Sequence, residues 1–436
     1  MPQAANALLY TTIGDLIRQY REQANLTISQ LGQLTGIHKG VISKIENGDT
    51  KRPELKTIKS LSHVLEIPYA EIVEHYIEVE QRTEALRDLL LEAIAFANKP
   101  LITKVALKFL ESPQEESDTA LERLHHLAAD VESTDIKLLL YNLIITYSRQ
   151  RGIQRFLAKG LLQKYLIERM DLKRLEDSYR IGEEILHYLD FLSREEKIIY
   201  YFRMALHAHN IKKYIQCTEL TQAGLALHPP DTELKARAYL AMINSYYFLE
   251  DYQAVESHLE IFRQFNYDFV PEAAKLTLAL VKARKKEYHL AVGMLEDCLH
   301  EISEHSRIHV VNELLDTYFH LGNMTAITKL LELEVSLLSL EPKTPYQFLA
   351  IGRYFQLKGK FLCHTGNFDE GVESYVRSFE SYGQVSAFQE IAQCMYDVLT
   401  QFSEHAIEIN LYYVRKLKMV YNTIIGNNSK KWRDLQ

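Results

Sequence analysis

Turn signals recur through the second half of this chain at a spacing that dictates what most of it folds into. Asn210, Asp251, Glu287, Asn323 and Asn367 stand 41, 36, 36 and 44 residues apart, and the apolar residues between them fall at helical rather than alternating intervals. A period of this size is that of two antiparallel helices stacked on the next two, since one pair cannot bury its apolar face alone. The clearest unit runs from Met242 to Phe262: Tyr246 and Leu249 pack the first helix, Asp251-Tyr252 make the turn, and Ala254 leaves room for the second helix to approach. His364 to Glu380 follows the same plan, with Gly366-Asn367-Phe368 as the turn, Gly371 as the small contact and Tyr375 and Phe379 as the fill. The segment from Leu321, with Ala326, is a third instance. Only 17 glycines and 10 prolines interrupt 436 residues, so long helices with short turns are favoured over sheet, and the chain is expected to be all-α.

A different pattern occupies residues 11 to 65. Thr27 is placed to cap a helix, and Gln30, three residues on, to reach back to the cap amide. Gly36 supplies a position where positive φ costs nothing, and a second short helix follows. Leu31, Leu34, Ile37, Val41, Ile42 and Ile45 are spaced to lie between the two helices, which turns Lys39, Gly40, Ser43 and Lys44 outward. Lys44 suits guanine acceptors or phosphate, Ser43 donates or accepts, and Gly40 allows close backbone approach to a duplex. Lys51 and Arg52, in the following loop, suit phosphates, as does the amide-rich helix start at Thr27. Leu26 to Pro53, with Glu46-Asn47-Gly48 and Lys51-Arg52-Pro53, resembles the helix-turn-helix of phage repressor and Cro-type proteins. That resemblance implies a five-helix domain over residues 1–67 whose partner is double-stranded operator DNA. One departure is His38, where the family usually has Ser or Thr capping the recognition helix, so a weaker cap is expected there.

Charge and composition narrow the function. Residues 1–67 carry eight basic and six acidic side chains and the remainder 42 and 52, which confines the expected DNA surface to the first module and leaves the acidic body for another partner. Ile67-Pro68 ends that module; helical periodicity resumes at Tyr69 and continues to Asn98-Lys99-Pro100, predicting a continuous connecting helix within residues 68–100 and a repeat domain over 101–436. Cys217, Cys298, Cys363 and Cys394 form no CxxC pair, which fits a reducing cytoplasm. No apolar run reaches spanning length and no basic-then-apolar leader opens the chain, so neither membrane insertion nor secretion is expected. His125-His126, His207 with His209 and His305 with His309 are close enough to suggest metal, but no HExxH accompanies them, and the chain has neither a GxxxxGK loop nor a GxSxG elbow. No enzyme, metal or cofactor is expected.

The repeating units resemble tetratricopeptide repeats, degenerate in lacking the usual tryptophan and in closing on proline only in places such as Pro229-Pro230. The resemblance implies a right-handed superhelical solenoid whose concave face, lined by the first helix of each pair, suits an extended peptide. Counting back from the turns puts Asn244 where many peptide-binding repeats have asparagine, whose amide grips a peptide backbone through a donor and an acceptor. Asn142, Arg203, Arg284, Asn312, Asp316 and Lys360 fall on similar inward positions, with Tyr247 and Phe248 beside Asn244; the basic members suit a carboxylate. A repressor-type helix-turn-helix followed by such an array resembles the Rap/NprR/PlcR/PrgX (RNPP) family of peptide-pheromone receptor regulators of Gram-positive bacteria. This implies a short linear signalling peptide as ligand, a role in quorum sensing, and a homodimer on a palindromic site; the sign of regulation is left open. The alternatives are a bifunctional or protein-only scaffold that binds a partner protein such as a phosphorelay component, and a phage arbitrium-type receptor. The segment from Glu408 reads as a helix and polar tail that cap the array.

Overall fold

The computed structural model describes residues 12–404, 411–418 and 422, and every regular element among them is helical. Contacts divide the chain into two units, residues 1–167 and 168–436.

The first unit holds α1 (Ile13–Gln23), α2 (Ile28–Thr35), α3 (Lys39–Glu46), α4 (Leu55–Val64), α5 (Tyr69–Val79), α6 (Thr83–Ala95), α7 (Lys99–Leu110), α8 (Ser117–Asp130), α9 (Thr134–Arg151) and α10 (from Gln154). Thr27 and Gln30 form the expected reciprocal cap, Gln30 N–H on the Thr27 hydroxyl at 3.2 Å and Thr27 N–H on the Gln30 carbonyl at 2.9 Å, and Gly36 takes the left-handed turn at φ 71°. Leu31, Ile42 and Ile45 are buried between α1, α2 and α3 as expected, but Leu34 is 61% and Val41 42% exposed. The inner stripe of α2 is Ile28, Leu31, Gly32 and Thr35, and Leu34 lies beyond its edge; Val41 flanks Lys44 on the outer side of α3. Gly14 lets α1 and α3 meet backbone to backbone, since a Cβ there would stand 2.3 Å from the Ile45 carbonyl oxygen.

The predicted continuous helix from Tyr69 is broken at Glu80. Its carboxylate turns back to accept the Gln81 and Arg82 amides at 2.9 and 2.8 Å, and the Arg82 guanidinium at 2.6 Å. Burial opposes its charge, but Arg82 and the Tyr76 hydroxyl outweigh that and hold the carboxyl down to about 2. One apolar core runs from Ile13 through Tyr76, Leu90, Phe109 and Tyr141 to Phe156.

The second unit opens with α11 (Leu175–Glu184) and continues as pairs: α12 (Arg194–Asn210) and α13 (Tyr214–Ala226), α14 (Glu233–Phe248) and α15 (Tyr252–Phe262), α16 (Phe269–Arg284) and α17 (Tyr288–Glu301), α18 (Glu304–Leu321) and α19 (Met324–Leu331), the short α20 (Glu334–Leu337), then α21 (Pro345–His364) and α22 (Phe368–Gln384), with α23 (Phe388–Glu404) last. Each first helix packs on its own partner and on the first helix of the next pair, as in α12–α14–α16–α18–α21–α23. Two of the predicted turn residues cap the second helices through their side chains: Asp251 accepts from Ala254 N–H at 3.0 Å and Asn323 from Ala326 N–H at 3.1 Å. Gly371 is the small contact, because a Cβ there would lie 2.5 Å from Cys363 Sγ, and Tyr375 and Phe379 are buried. Leu249 is instead 40% exposed, while Tyr246 stacks on His258 at 5.3 Å. The longer 44-residue interval accommodates α20.

At the far end, Tyr413 packs on Phe402 at 5.7 Å and Leu417 joins the same core, as a cap does; the polar tail lies outside the described residues. The end of this unit also returns to its beginning. Lys212, in the α12–α13 turn, pairs with Glu390, and the Ser386 hydroxyl donates to the Lys173 carbonyl at 3.4 Å.

Candidate DNA-reading face and repeat wall

On the first unit, Thr27, Lys39, Lys44, Lys51 and Arg52 are exposed and Gly40 and Ser43 half-buried. Arg52 donates to the Gln81 side chain, so the loop after α3 is tied to the start of α6. Tyr76 reaches the same loop, within 3.1 Å of the Pro53 carbonyl. Lys39, Lys44 and Lys51 form no ion pair among the described residues, which leaves α3 and its loop with uncompensated positive charge. His38 caps α3, its Nδ1 accepting Gly40 N–H at 3.1 Å. What orients α3 is Glu46: Arg21 grips its carboxylate through two bonds of 2.7 and 2.9 Å, and Arg18 donates to its carbonyl at 3.1 Å.

In the second unit, side chains on successive first helices join across intervals close to the repeat length. His209 on α12 lies 3.0 Å from the Ser245 hydroxyl on α14; that hydroxyl already donates to the Ala241 carbonyl, so His209 Nδ1 carries the proton. Tyr247 on α14 accepts from Arg284 Nε on α16 at 2.7 Å. On α18, Glu313 and Asp316 both hold Arg353 of α21, at 2.5 and 3.4 Å, and Asn312 donates to the Ala350 carbonyl at 2.8 Å. Gln356 of α21 donates to Asp397 of α23 at 2.6 Å. His309 stacks on Tyr346 with ring centres 4.0 Å apart. Tyr346 is 44% exposed, yet desolvation, with Glu313 nearby, pushes its phenol up to about 12. Together these side chains form one wall built from the first helices of successive pairs. Desolvation likewise takes His309 down to about 3, with Arg353 adding to it, and His209 down to about 4. Both histidines are neutral at physiological pH.

Of the inward positions expected from sequence, Tyr247, Arg284, Asn312 and Asp316 belong to this wall. Asn312 is buried, its amide nitrogen committed to α21 while Oδ1 has no partner. Asn244 and Arg203 are half-buried and hold no hydrogen bond among the described residues. Lys360 is exposed and lies over the Phe319 ring at 5.0 Å, and Asn142 is exposed on α9 of the first unit.

The helix-turn-helix family model matches residues 17–72. Residues 17–72 are a helix-turn-helix domain. Over 75 residues the chain is 36% identical to the uncharacterized HTH-type transcriptional regulator RghRB of Bacillus subtilis, covering 17% of this chain and 54% of that protein. Over 74 residues it is 36% identical to the HTH-type transcriptional repressor RghR of the same organism, covering 17% and 55%. The chain thus spans about half the length of the curated relatives it matches. Among solved structures, SeMet-phAimR overlays with a TM-score of 0.41 at 14% identity, covering 95% of this chain and all of that one. A Rap protein complexed with competence and sporulation factor gives 0.42 at 10%, with the same coverage. Scores this low do not establish a common fold.

Within the helix-turn-helix domain, Lys39, Gly40, Ser43 and Lys44 follow one another along one side of α3, whereas the Arg21–Glu46 pair that orients the helix went unpredicted because it joins residues 25 apart on different helices. Arg353, Glu313 and Tyr346 were also missed, and His309 was weighed only as a metal candidate. Their signal was available: Arg353 follows Asp316 by 37 residues and Glu313 by 40, the repeat interval itself. Among the described residues, no group of His, Cys, Asp or Glu is arranged to hold a metal, and no helix is long and apolar enough to cross a membrane.

Proposed function

We propose that this chain is a cytoplasmic DNA-binding transcriptional regulator of RNPP type whose repeat unit receives a short linear signalling peptide. The observation that carries the DNA reading is the α3 face: Lys39 and Lys44 stand exposed without counter-charges beside Gly40, on a domain whose family model is helix-turn-helix. A relative over this segment is named a transcriptional repressor, in line with that reading. The peptide reading draws on the wall, where Arg284, Asn244 and Arg203 offer unused hydrogen-bonding groups on α16, α14 and α12, beside an exposed Phe248. Two chains on a palindromic site would set half-sites about one helical turn, or a multiple, apart. Peptide would regulate, as in quorum sensing, by binding the DNA-competent and incompetent arrangements with different affinity.

The test is duplex binding by fluorescence anisotropy, using sequences selected from a random pool. Wild-type affinity falls steeply with salt, and Lys44→Ala weakens it by about 1–3 kcal/mol if Lys44 reads a base, or lowers the salt slope by about one unit if it meets a phosphate. Selection of no duplex at any salt, or an unchanged Lys44→Ala protein, overturns the reading.

A further inference from the structure

We infer that the repeat wall takes a peptide bearing a carboxylate, and that Arg284 is its seat; the inference rests on the peptide reading above. The two arginines of this wall differ in state. Arg353 is taken up by Glu313 at 2.5 Å and Asp316 at 3.4 Å, so an incoming anion meets a guanidinium already matched by two carboxylates. Arg284 forms no ion pair among the described residues. Its single hydrogen bond is from Nε to the Tyr247 hydroxyl at 2.7 Å, and its guanidinium carbon lies 5.5 Å from the centre of the Tyr247 ring.

That arrangement prepares the group for a ligand. The tyrosine fixes Nε and the plane of the guanidinium, while both terminal nitrogens keep their N–H groups free, the fork that meets a carboxylate through two parallel bonds. Tyr247 is buried, so the arginine's orientation is set before anything binds and less side-chain freedom is lost on binding. Glu313 contributes to the field at Arg284 and at Tyr247 but gives its hydrogen bond to Arg353, so it does not occupy the fork.

The surroundings state what should adjoin the carboxylate. Phe248, next in sequence to Tyr247, is 48% exposed, meets the Tyr247 ring edge to face and stacks flat on Tyr214 with centres 4.7 Å apart. An open aromatic surface beside a prepared cation fits an apolar side chain adjoining the carboxylate. Asn244 lies one helical turn before Phe248 on α14, where its amide suits the peptide backbone. The carboxylate has two sources, the peptide C-terminus or an Asp or Glu side chain, with the same chemistry at Arg284.

The experiment uses the full-length protein and two short random peptide libraries, one with free C-terminal acids and one amidated, with retained sequences read by mass spectrometry. Preferential retention from the free-acid library identifies the C-terminus; retention from both, enriched in Asp and Glu, identifies a side chain. In either case Arg284→Met removes the enrichment by about tenfold or more, Arg284→Lys keeps part of it, and Lys285→Met, on an exposed lysine paired with Glu256, leaves it unchanged. Duplex affinity and thermal melting of each variant report folding. Peptides retained without carboxylate preference, or with a preference that survives Arg284→Met in a folded protein, overturn the assignment to Arg284 while leaving the peptide reading standing. Retention of no peptide from either library overturns both.

Discussion

Removing the Glu46 side chain should loosen the DNA-reading helix by an amount the structure allows to be worked out. The Glu46 carboxylate is 2% exposed and its main partner, Arg21, 12%; the pair is joined by bonds of 2.7 and 2.9 Å, and Arg21 also donates to the Leu26 carbonyl at 2.9 Å. Deleting one member of a buried pair leaves the other charge desolvated and unmatched, which costs about 3–5 kcal/mol. Arg21 keeps its bond to Leu26, its ion pair with the exposed Glu22 at 3.5 Å and a sliver of solvent, so Glu46→Ala belongs at the lower end, about 3 kcal/mol, or roughly a hundredfold in local opening. Replacing both partners by apolar residues, Arg21→Met with Glu46→Leu, removes the penalty along with the pair and should return stability to within about 1 kcal/mol of wild type. Amide hydrogen exchange reads this directly: α1 and α3 lose protection in Glu46→Ala and regain it in the double variant, while α14 to α23 are unchanged in both. Duplex affinity follows the protection. If Glu46→Ala leaves exchange in α1 and α3 untouched, or the double variant is as loose as the single one, the pair does not hold α3 in place.

Two further outcomes follow from the second unit. His207 is buried against the Leu175 carbonyl at 2.9 Å, and burial takes its pKa down to about 4. The unfolded chain therefore binds the proton first, so this contribution is complete above pH ~6.5 and is lost as pH falls toward ~4, about 3 kcal/mol in all and about 2 kcal/mol by pH ~5; His207→Gln should show a smaller drop in urea midpoint between pH ~7 and ~5, and an equal drop would reject the assignment. Lys212 and Glu390 meet with side chains 39% and 17% exposed, so Glu390→Lys should raise hydrogen exchange around residues 173 and 386, by a factor that about 1 kcal/mol of ion pairing allows. Adding Lys212→Glu should restore it, and failure of that rescue would show that the pair does not close the array.

How much of this was legible depended on whether a residue's role was local or lay across the fold. The turns at Asp251 and Asn323 were legible because a cap and its helix are neighbours in sequence, as was the Thr27–Gln30 box; the turn at Asn367 was legible from Gly366 beside it, without a side-chain cap. Gly322 and Gly366 mark left-handed positions openly, but Lys212, Glu250, Lys286 and Ser386 adopt the same φ without glycine, and packing of the flanking helices has to hold them there. Leu34 and Val41 were misplaced because their spacing suits either flank of a short helix, and only the partner decides which flank is covered. Asn312, expected at a ligand, has its amide nitrogen on α21 and its Oδ1 without a partner among the described residues. A residue facing the next repeat and one facing a peptide occupy adjacent positions, and periodicity alone does not separate them.

The same distinction bears on how a signal could reach the DNA face. Proline at residue 68 and the break the structure shows at Glu80 are the two points at which the helix-turn-helix domain could swivel. The interior says otherwise: one core is continuous from α1 to Phe156, Tyr76 reaches toward Pro53, and Arg52 is fastened to Gln81. Bending at either point would expose buried leucines and break these bonds together, at a cost far above the 1–3 kcal/mol that couples typical regulatory sites. The DNA-reading helix is therefore carried rigidly with α4 to α10, and a peptide that alters DNA binding has to move this whole unit, or its copy in a dimer, rather than turn α3 within it.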